Sequence, residues 1–258
     1  MNQKADFEQK IAELEAQLAA EREAALDQRF AMAENSLRLL ELTESLEAEK
    51  EKSAKLLRNL LPERVIIELQ ESGYSRPECF ENVTVLFSDI VGFTDRCARL
   101  EPEEVIAELS DIFTEFDQIF TSHNCVRIKT IGDAYLGVSG LPTPTEQHCD
   151  NILLGACEAV RYLEKRNLNH PFSWQMRFGV HTGNVVGGIV GKERYIYDIF
   201  GDTVNTAARM EQLSQPMKIN VSQEVKEAAS KNFSFIERPS HEVKGKGQMQ
   251  MYFLEDNL

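Results

Sequence analysis

The sequence predicts an α+β sandwich with a ferredoxin-like βαββαβ core, preceded by a long coiled-coil helix. Three observations carry that prediction. The first sixty residues contain neither Gly nor Pro and space apolar residues by heptads. From Glu81 onward, short apolar runs alternate with amphipathic helical stretches. Residues 126–141 (VRIKTIGDAYLGVSGL) set Gly132-Asp133 between two β-rich runs, the pattern of a two-residue hairpin.

Composition bounds the function. A chain of 258 residues with 42% hydrophobic content has room for one large domain plus an extension, or for two small domains. The net charge of −14 argues against nucleic acid or an anionic membrane surface as the main partner. A polyphosphate ligand would then have to be met by local Lys, Arg, metal ions and backbone amides. Five cysteines (Cys79, Cys97, Cys125, Cys149, Cys157) lack CxxC spacing, so buried free thiols in a reducing, cytoplasmic compartment are expected. The N-terminus is polar, and no run of about eighteen apolar residues occurs, so the chain reads as soluble. An upstream sensor or membrane domain in a longer protein is compatible with this reading.

Ile11, Leu18, Ala25, Met32, Leu39 and Leu46 fall seven apart, as heptad a positions. Among the matching d positions Leu14, Leu42 and Leu56 are apolar, whereas Glu21, Gln28, Asn35 and Glu49 are not. A second seam runs through Leu26, Phe30, Ala33, Leu37 and Leu40. Residues 1–60 therefore read as a parallel dimeric coiled coil of moderate stability; a lone helix of this length would gain little in water. Polar d positions and a competing seam leave room for a register shift that could carry a signal.

Residues 61–78 read as a linker: Pro62 breaks the helix, residues 64–69 make a short helical turn, and the loop at 73–77 marks the domain boundary. The domain at 79–258 opens with a strand at 82–89. Pro102 then starts an amphipathic helix with Val105, Leu109, Ile112, Phe113, Phe116, Ile119 and Phe120 on one stripe. After the central hairpin come a helix at 147–166, a strand at 174–182, a Gly-rich segment at 183–191, a strand at 195–200 and a helix from Gly201-Asp202-Thr203 to Leu213. The remainder reads as a strand at 219–221, a helix at 222–230, a strand at 233–238 and a final pair around Val243 and 249–254.

A lone Gly-Asp turn would be an ordinary surface hairpin. Here a second strand also ends on an acid, so Asp89 and Asp133 become a candidate pair for two-metal phosphoryl transfer. Mg²⁺ takes few protein carboxylates and completes its shell with phosphate oxygens and water, so two acids suffice. The amides of Val91 to Thr94, where the chain turns through Gly92, are candidates to cradle phosphate.

FSDIVGFT (87–94), KTIGDAYLGVSGLP (129–142), RFGVHTGNVVGGIVG (177–191) and YDIFGDTVNTAARM (197–210) together resemble the class III nucleotidyl cyclases. The resemblance runs from about Glu81 to the C-terminus, and LLRNLLPERV before it resembles the dimerising signalling helix of many such cyclases. It implies a fold of the cyclase type and two divalent metal ions, Mg²⁺ or Mn²⁺, held by Asp89, Asp133 and the Ile90 carbonyl. Asn205 and Arg209 match the pair that orients the ribose and stabilises the pentavalent phosphate, and their spacing places them on one helix face. Lys244 of VKGKG matches a triphosphate-binding lysine, with Lys246 as the near alternative. The family builds its sites across a head-to-tail dimer. Both halves of the site are present in this chain, which implies a homodimer through coiled coil and catalytic domains.

The purine choice follows from donor and acceptor chemistry. Adenine accepts at N1 and donates at N6, so Lys129 and Asp198 suit it; guanine reverses both. Mismatched buried polar groups of this kind discriminate by about 10⁴ or more. Guanylyl members of the family carry Glu and Cys at these positions. The expectation is therefore an adenylyl cyclase acting on ATP. Its rivals are a guanylyl cyclase and a non-catalytic nucleotide-sensing or dimerisation module; a diguanylate cyclase is disfavoured by the missing GGDEF-type signature. The five histidines show no metal-ligand spacing, and His181 reads as packing or a strand-end hydrogen bond. Gly187-Gly188…Gly191 lacks the P-loop Lys-Ser/Thr and reads as a close backbone approach at the dimer interface.

Overall fold

A computed structural model describes residues 2–191 and 195–255. The chain divides into two compact units, Met1–Leu60 and Leu61–Leu258. The first is one continuous helix, α1 (Asn2–Arg58). Its heptad residues Ile11, Leu18, Met32, Leu39 and Leu46 are all at least half exposed. Among the described residues no helix is long and apolar enough to cross a membrane.

The second unit begins with α2 (Glu63–Ser72), which ends on Gly73 in the left-handed conformation, φ 70°. Leu61, Val65 and Ile66 are buried, with Leu69, Ile189 and Tyr197 packed against them. The segment read from sequence as a linker thus carries a full helix docked on the sheet. Its short apolar stripe at i, i+1 and i+4 is too brief to stand out before the partner surface is known.

The main sheet is built on β1 (Glu78–Ile90), β2 (Val126–Ile131), β3 (Ala134–Ser139) and β4 (Met176–Val190), ordered β2-β3-β1-β4 with every neighbour antiparallel. The crossover helices α4 (Pro102–Ser122) and α5 (His148–Asn169) complete the expected βαββαβ core. Both helices bury their stripes on one face, where Ile112, Phe116, Phe120, Ile152 and Leu163 are at most 1% exposed around Tyr135 and Phe178. The short α3 (Phe93–Cys97) lies between β1 and α4. The opposite face carries Val83, Val85, Leu136, Val138 and Val185, covered by Ala207 of α6 (Asp202–Gln212). β5 (Ile196–Phe200) pairs β4. Beyond β4 the sheet continues in parallel to β6 (Ile219–Ser222). Then follow α7 (Gln223–Ala228), β7 (Ser234–Glu237), the separate hairpin β8 (His241–Val243) and β9 (Gly247–Met249), and β10 (Met251–Glu255), which pairs β6 and β7.

Two readings change. β4 starts at Met176 rather than Trp174 and runs unbroken through the Gly-rich segment. Within it a Cβ on Gly187 would stand 2.4 Å from the Tyr197 hydroxyl and 2.9 Å from the Phe80 ring, so this glycine serves close packing inside the chain. Of the cysteines, Cys125, Cys149 and Cys157 are buried, Cys97 is half-buried and Cys79 is exposed, its neighbour Phe80 taking the core-facing place on the strand.

Candidate active site

The strand ends build the acidic half. The hairpin pairs Ile131 with Ala134 across Gly132-Asp133, with Gly132 at φ 63°, a conformation glycine adopts without steric cost. Because β3 also pairs β1 (Ser88 opposite Tyr135), the turn lies beside the end of β1. Asp133, Asp89 and Ile90 are brought together there: burial first, and then the Asp89 charge, raise the Asp133 carboxyl above its ordinary value, while the Ile90 backbone opposes the shift. Two carboxylates and a carbonyl are hard oxygen donors, and the mutual repulsion of the acids is what a divalent cation would relieve. The donor set fits Mg²⁺ or Mn²⁺.

One expected phosphate contact is not available. The Val91 amide donates to the Gln175 carbonyl at 2.8 Å, closing the β1–β4 ladder one residue past Ile90. Of the amides expected to cradle phosphate at 91–94, Val91 is thus already engaged.

Arg177 is a residue that the sequence reading passed over. It stands opposite Asp89 in the β1–β4 register, donates to its carboxylate at 3.0 Å, and faces Glu211 of α6 at 2.9 Å. The second contact is an ion pair without the alignment of a hydrogen bond. Gly179 makes it feasible: a Cβ there would stand 1.9 Å from the Glu211 backbone nitrogen, so only glycine lets α6 lie this close on β4. Burial pushes the Glu211 carboxyl up to about 7; Arg177 opposes this, and Asp89 and Asp133 reinforce it. The signal for Arg177 was its charge inside an otherwise apolar strand (MRFGV), a position that demands a partner.

The residues expected to bind nucleotide lie on β2, β5, α6 and the β8–β9 turn. Lys129 on β2 donates to Asp198 on β5 at 2.5 Å, and the second Asp198 oxygen accepts from the Ile199 amide at 2.9 Å. Asn205 is exposed on α6, and Arg209, one turn on, donates to Gln212 at 3.0 Å. The acids that could have neutralised Arg209 are otherwise engaged, Glu211 with Arg177 and Asp202 with Lys246. Lys244 is exposed in the β8–β9 turn, and Lys246 of the same turn is the one held by Asp202. Among the described residues no hydrogen bond or ion pair joins Asp89, Ile90 or Asp133 to Lys129, Asp198, Asn205, Arg209 or Lys244. His181 is buried in mid-strand on Ser222 at 2.7 Å, and burial lowers its pKa.

The family model described as the adenylate and guanylate cyclase catalytic domain matches residues 76–256. Guanylate cyclase soluble subunit beta-2 of Rattus norvegicus is 40% identical over 221 residues, covering 84% of this chain and 32% of that protein. The chain thus spans about a third of that relative's length. The guanylate cyclase domain of RhGC from Catenaria anguillulae, solved in complex with GTP, matches with a TM-score of 0.67 at 34% identity over 69% of this chain and 98% of that one. The catalytic core of a rhodopsin-guanylyl cyclase with converted specificity, solved in complex with ATPαS, gives the same TM-score and identity over 70% and 98%. A βαββαβ sheet, acids at two adjacent strand ends, and these matches agree: the chain belongs to the class III adenylate and guanylate cyclase catalytic domain family.

Proposed function

We propose that this chain is an adenylyl cyclase that converts ATP to 3′,5′-cyclic AMP and pyrophosphate, at two sites shared across a homodimer. The observation that carries the purine choice is the Lys129–Asp198 pair at 2.5 Å. It holds one donor and one acceptor side by side, the order that adenine N1 and N6 require. Guanine would set its N1–H against the ammonium and its O6 against the carboxylate, leaving both polar edges mismatched.

In this reading Lys129 and Asp198 bind the base, Asn205 orients the ribose, and Lys244 holds the triphosphate. Arg209 stabilises the charge that grows on the α-phosphate. Asp89, Asp133 and the Ile90 carbonyl of the facing subunit hold the two divalent cations, which when bound neutralise the phosphates and acidify the 3′-hydroxyl. The 3′-oxygen forms a bond to the α-phosphorus as the bond to the β-phosphate bridging oxygen breaks. Pyrophosphate leaves with that electron pair, and the hydroxyl proton passes to solvent or phosphate. That no bond joins the two residue sets among the described residues supports a shared site, and the exposed heptad stripe of α1 supports pairing of two copies through a coiled coil.

The competing reading is guanylyl cyclase, favoured by the names of relatives such as the beta-2 subunit. Product analysis decides between them. ATP and GTP are supplied separately, each with Mg²⁺ and with Mn²⁺. Cyclic AMP from ATP alone is expected; cyclic GMP would overturn the base assignment, and no product would leave a non-catalytic module.

A further inference from the structure

We propose that Asn167 and Trp174 are positioning residues for the Ile90 carbonyl, acting through Gln175. The inference rests on the reading of Ile90 as a metal ligand. It starts from a property of the peptide bond. The unit joining Ile90 to Val91 is planar and trans, so its N–H and C=O point in opposite directions. The Val91 amide donates to the Gln175 carbonyl at 2.8 Å. Whatever fixes the Gln175 carbonyl therefore fixes the direction in which the Ile90 oxygen points.

Segment 172–175 is not a strand, yet its four successive carbonyls each accept a hydrogen bond from a different residue. Phe172 receives one from Arg166, Ser173 from Arg96, Trp174 from Asn167 at 2.7 Å, and Gln175 from Val91. Asn167 also accepts from the Trp174 amide at 2.9 Å, so one side chain clamps both backbone groups of that residue. The Trp174 ring, 1% exposed, is held at its far end by Glu108, which accepts from the indole N–H at 2.6 Å and from Arg166 at 2.8 Å. On its other side it meets α3, with Phe93 at 6.0 Å between ring centres and the Arg96 guanidinium at 5.3 Å. A loop with every carbonyl engaged cannot rotate a single peptide without breaking bonds to α3, α5 or β1. It braces the metal ligand from outside the site.

The test measures Mn²⁺ binding by electron paramagnetic resonance, in the presence of 3′-deoxy-ATP or 3′-deoxy-GTP, which cannot cyclise. Asn167→Ala is expected to weaken Mn²⁺ binding about tenfold, the usual effect of losing an outer-shell partner. Trp174→Phe, which keeps an aromatic ring but loses the pyrrole part of the indole and its N–H, should weaken it less. Leu163→Ala, a core truncation on the same helix without a bond to 172–175, should lower Tm and leave Mn²⁺ affinity unchanged. Unaltered affinity in Asn167→Ala, or an equal loss in Leu163→Ala, overturns the proposal. Asp89→Asn separates this from the site reading: if it binds Mn²⁺ as tightly as the parent chain, the metal assignment itself has failed.

Discussion

Helix α6 presents two opposite faces to two different tasks. Its inner face, with Ala207, Met210 and Glu211, is buried on the sheet and joins the metal strand through Arg177. Its outer face carries Asn205 and Arg209, which meet no acid among the described residues. The acidic cluster is thus braced from within the chain, while Arg209, on the other face, is held only by Gln212 among the described residues. An arginine without an acid partner among the described residues, on a helix whose neighbouring acids are already paired, suits the proposed role of meeting charge from outside the chain. The difference is what the proposed shared site requires: one chain that supplies two half-sites rather than one whole site.

The strongest way to break that comparison is to disable the halves separately. Asp89→Ala and Arg209→Ala should each reduce turnover about a thousandfold, without unfolding. Mixing the two inactive variants should restore one working site per heterodimer. Full inactivity despite heterodimers proven by mass spectrometry would sink the shared site. Next in size is the base pair: Lys129→Glu with Asp198→Cys should move the preference from ATP to GTP by about a hundredfold or more, read as the ratio of kcat/KM values.

Smaller effects sharpen the inner face. Gly179→Ala would push α6 off β4 and should cost about 1–3 kcal/mol, measured by urea unfolding. The smallest effect is a pH dependence at Glu211. Burial raises this carboxyl from 4.5 to about 7, so between those values the folded chain holds a proton that the unfolded chain has released. Its contribution to stability is complete below about pH 4.5 and is lost as pH rises through about 7. Glu211→Gln should therefore gain Tm over the parent chain across that window, with metal-free protein. A gain that shrinks with rising pH would contradict the assignment.

Much of this site was legible before any fold was known, for a physical reason. Gly132-Asp133 is a local turn, and Asn205 and Arg209 are one helical turn apart, so short-range geometry alone places them. The crossover helices likewise announce themselves by a stripe that must be buried. The helix at Glu63–Ser72 was missed as a docked element because its apolar stripe is short and its partners, Ile189 and Tyr197, lie more than a hundred residues away.

What the sequence by itself determined is the order of elements, the two acids at strand ends and the donor and acceptor character of Lys129 and Asp198, since each depends on periodicity or on the chemistry of single side chains. Only the tertiary structure decided which cation meets which acid. Lys246 goes to Asp202 and Arg177 to Asp89 and Glu211, which leaves Arg209 on Gln212 and Lys244 exposed. Those pairings join residues as many as 88 positions apart. They follow from sheet register and from the close approach that Gly179 allows, neither of which is written in local spacing.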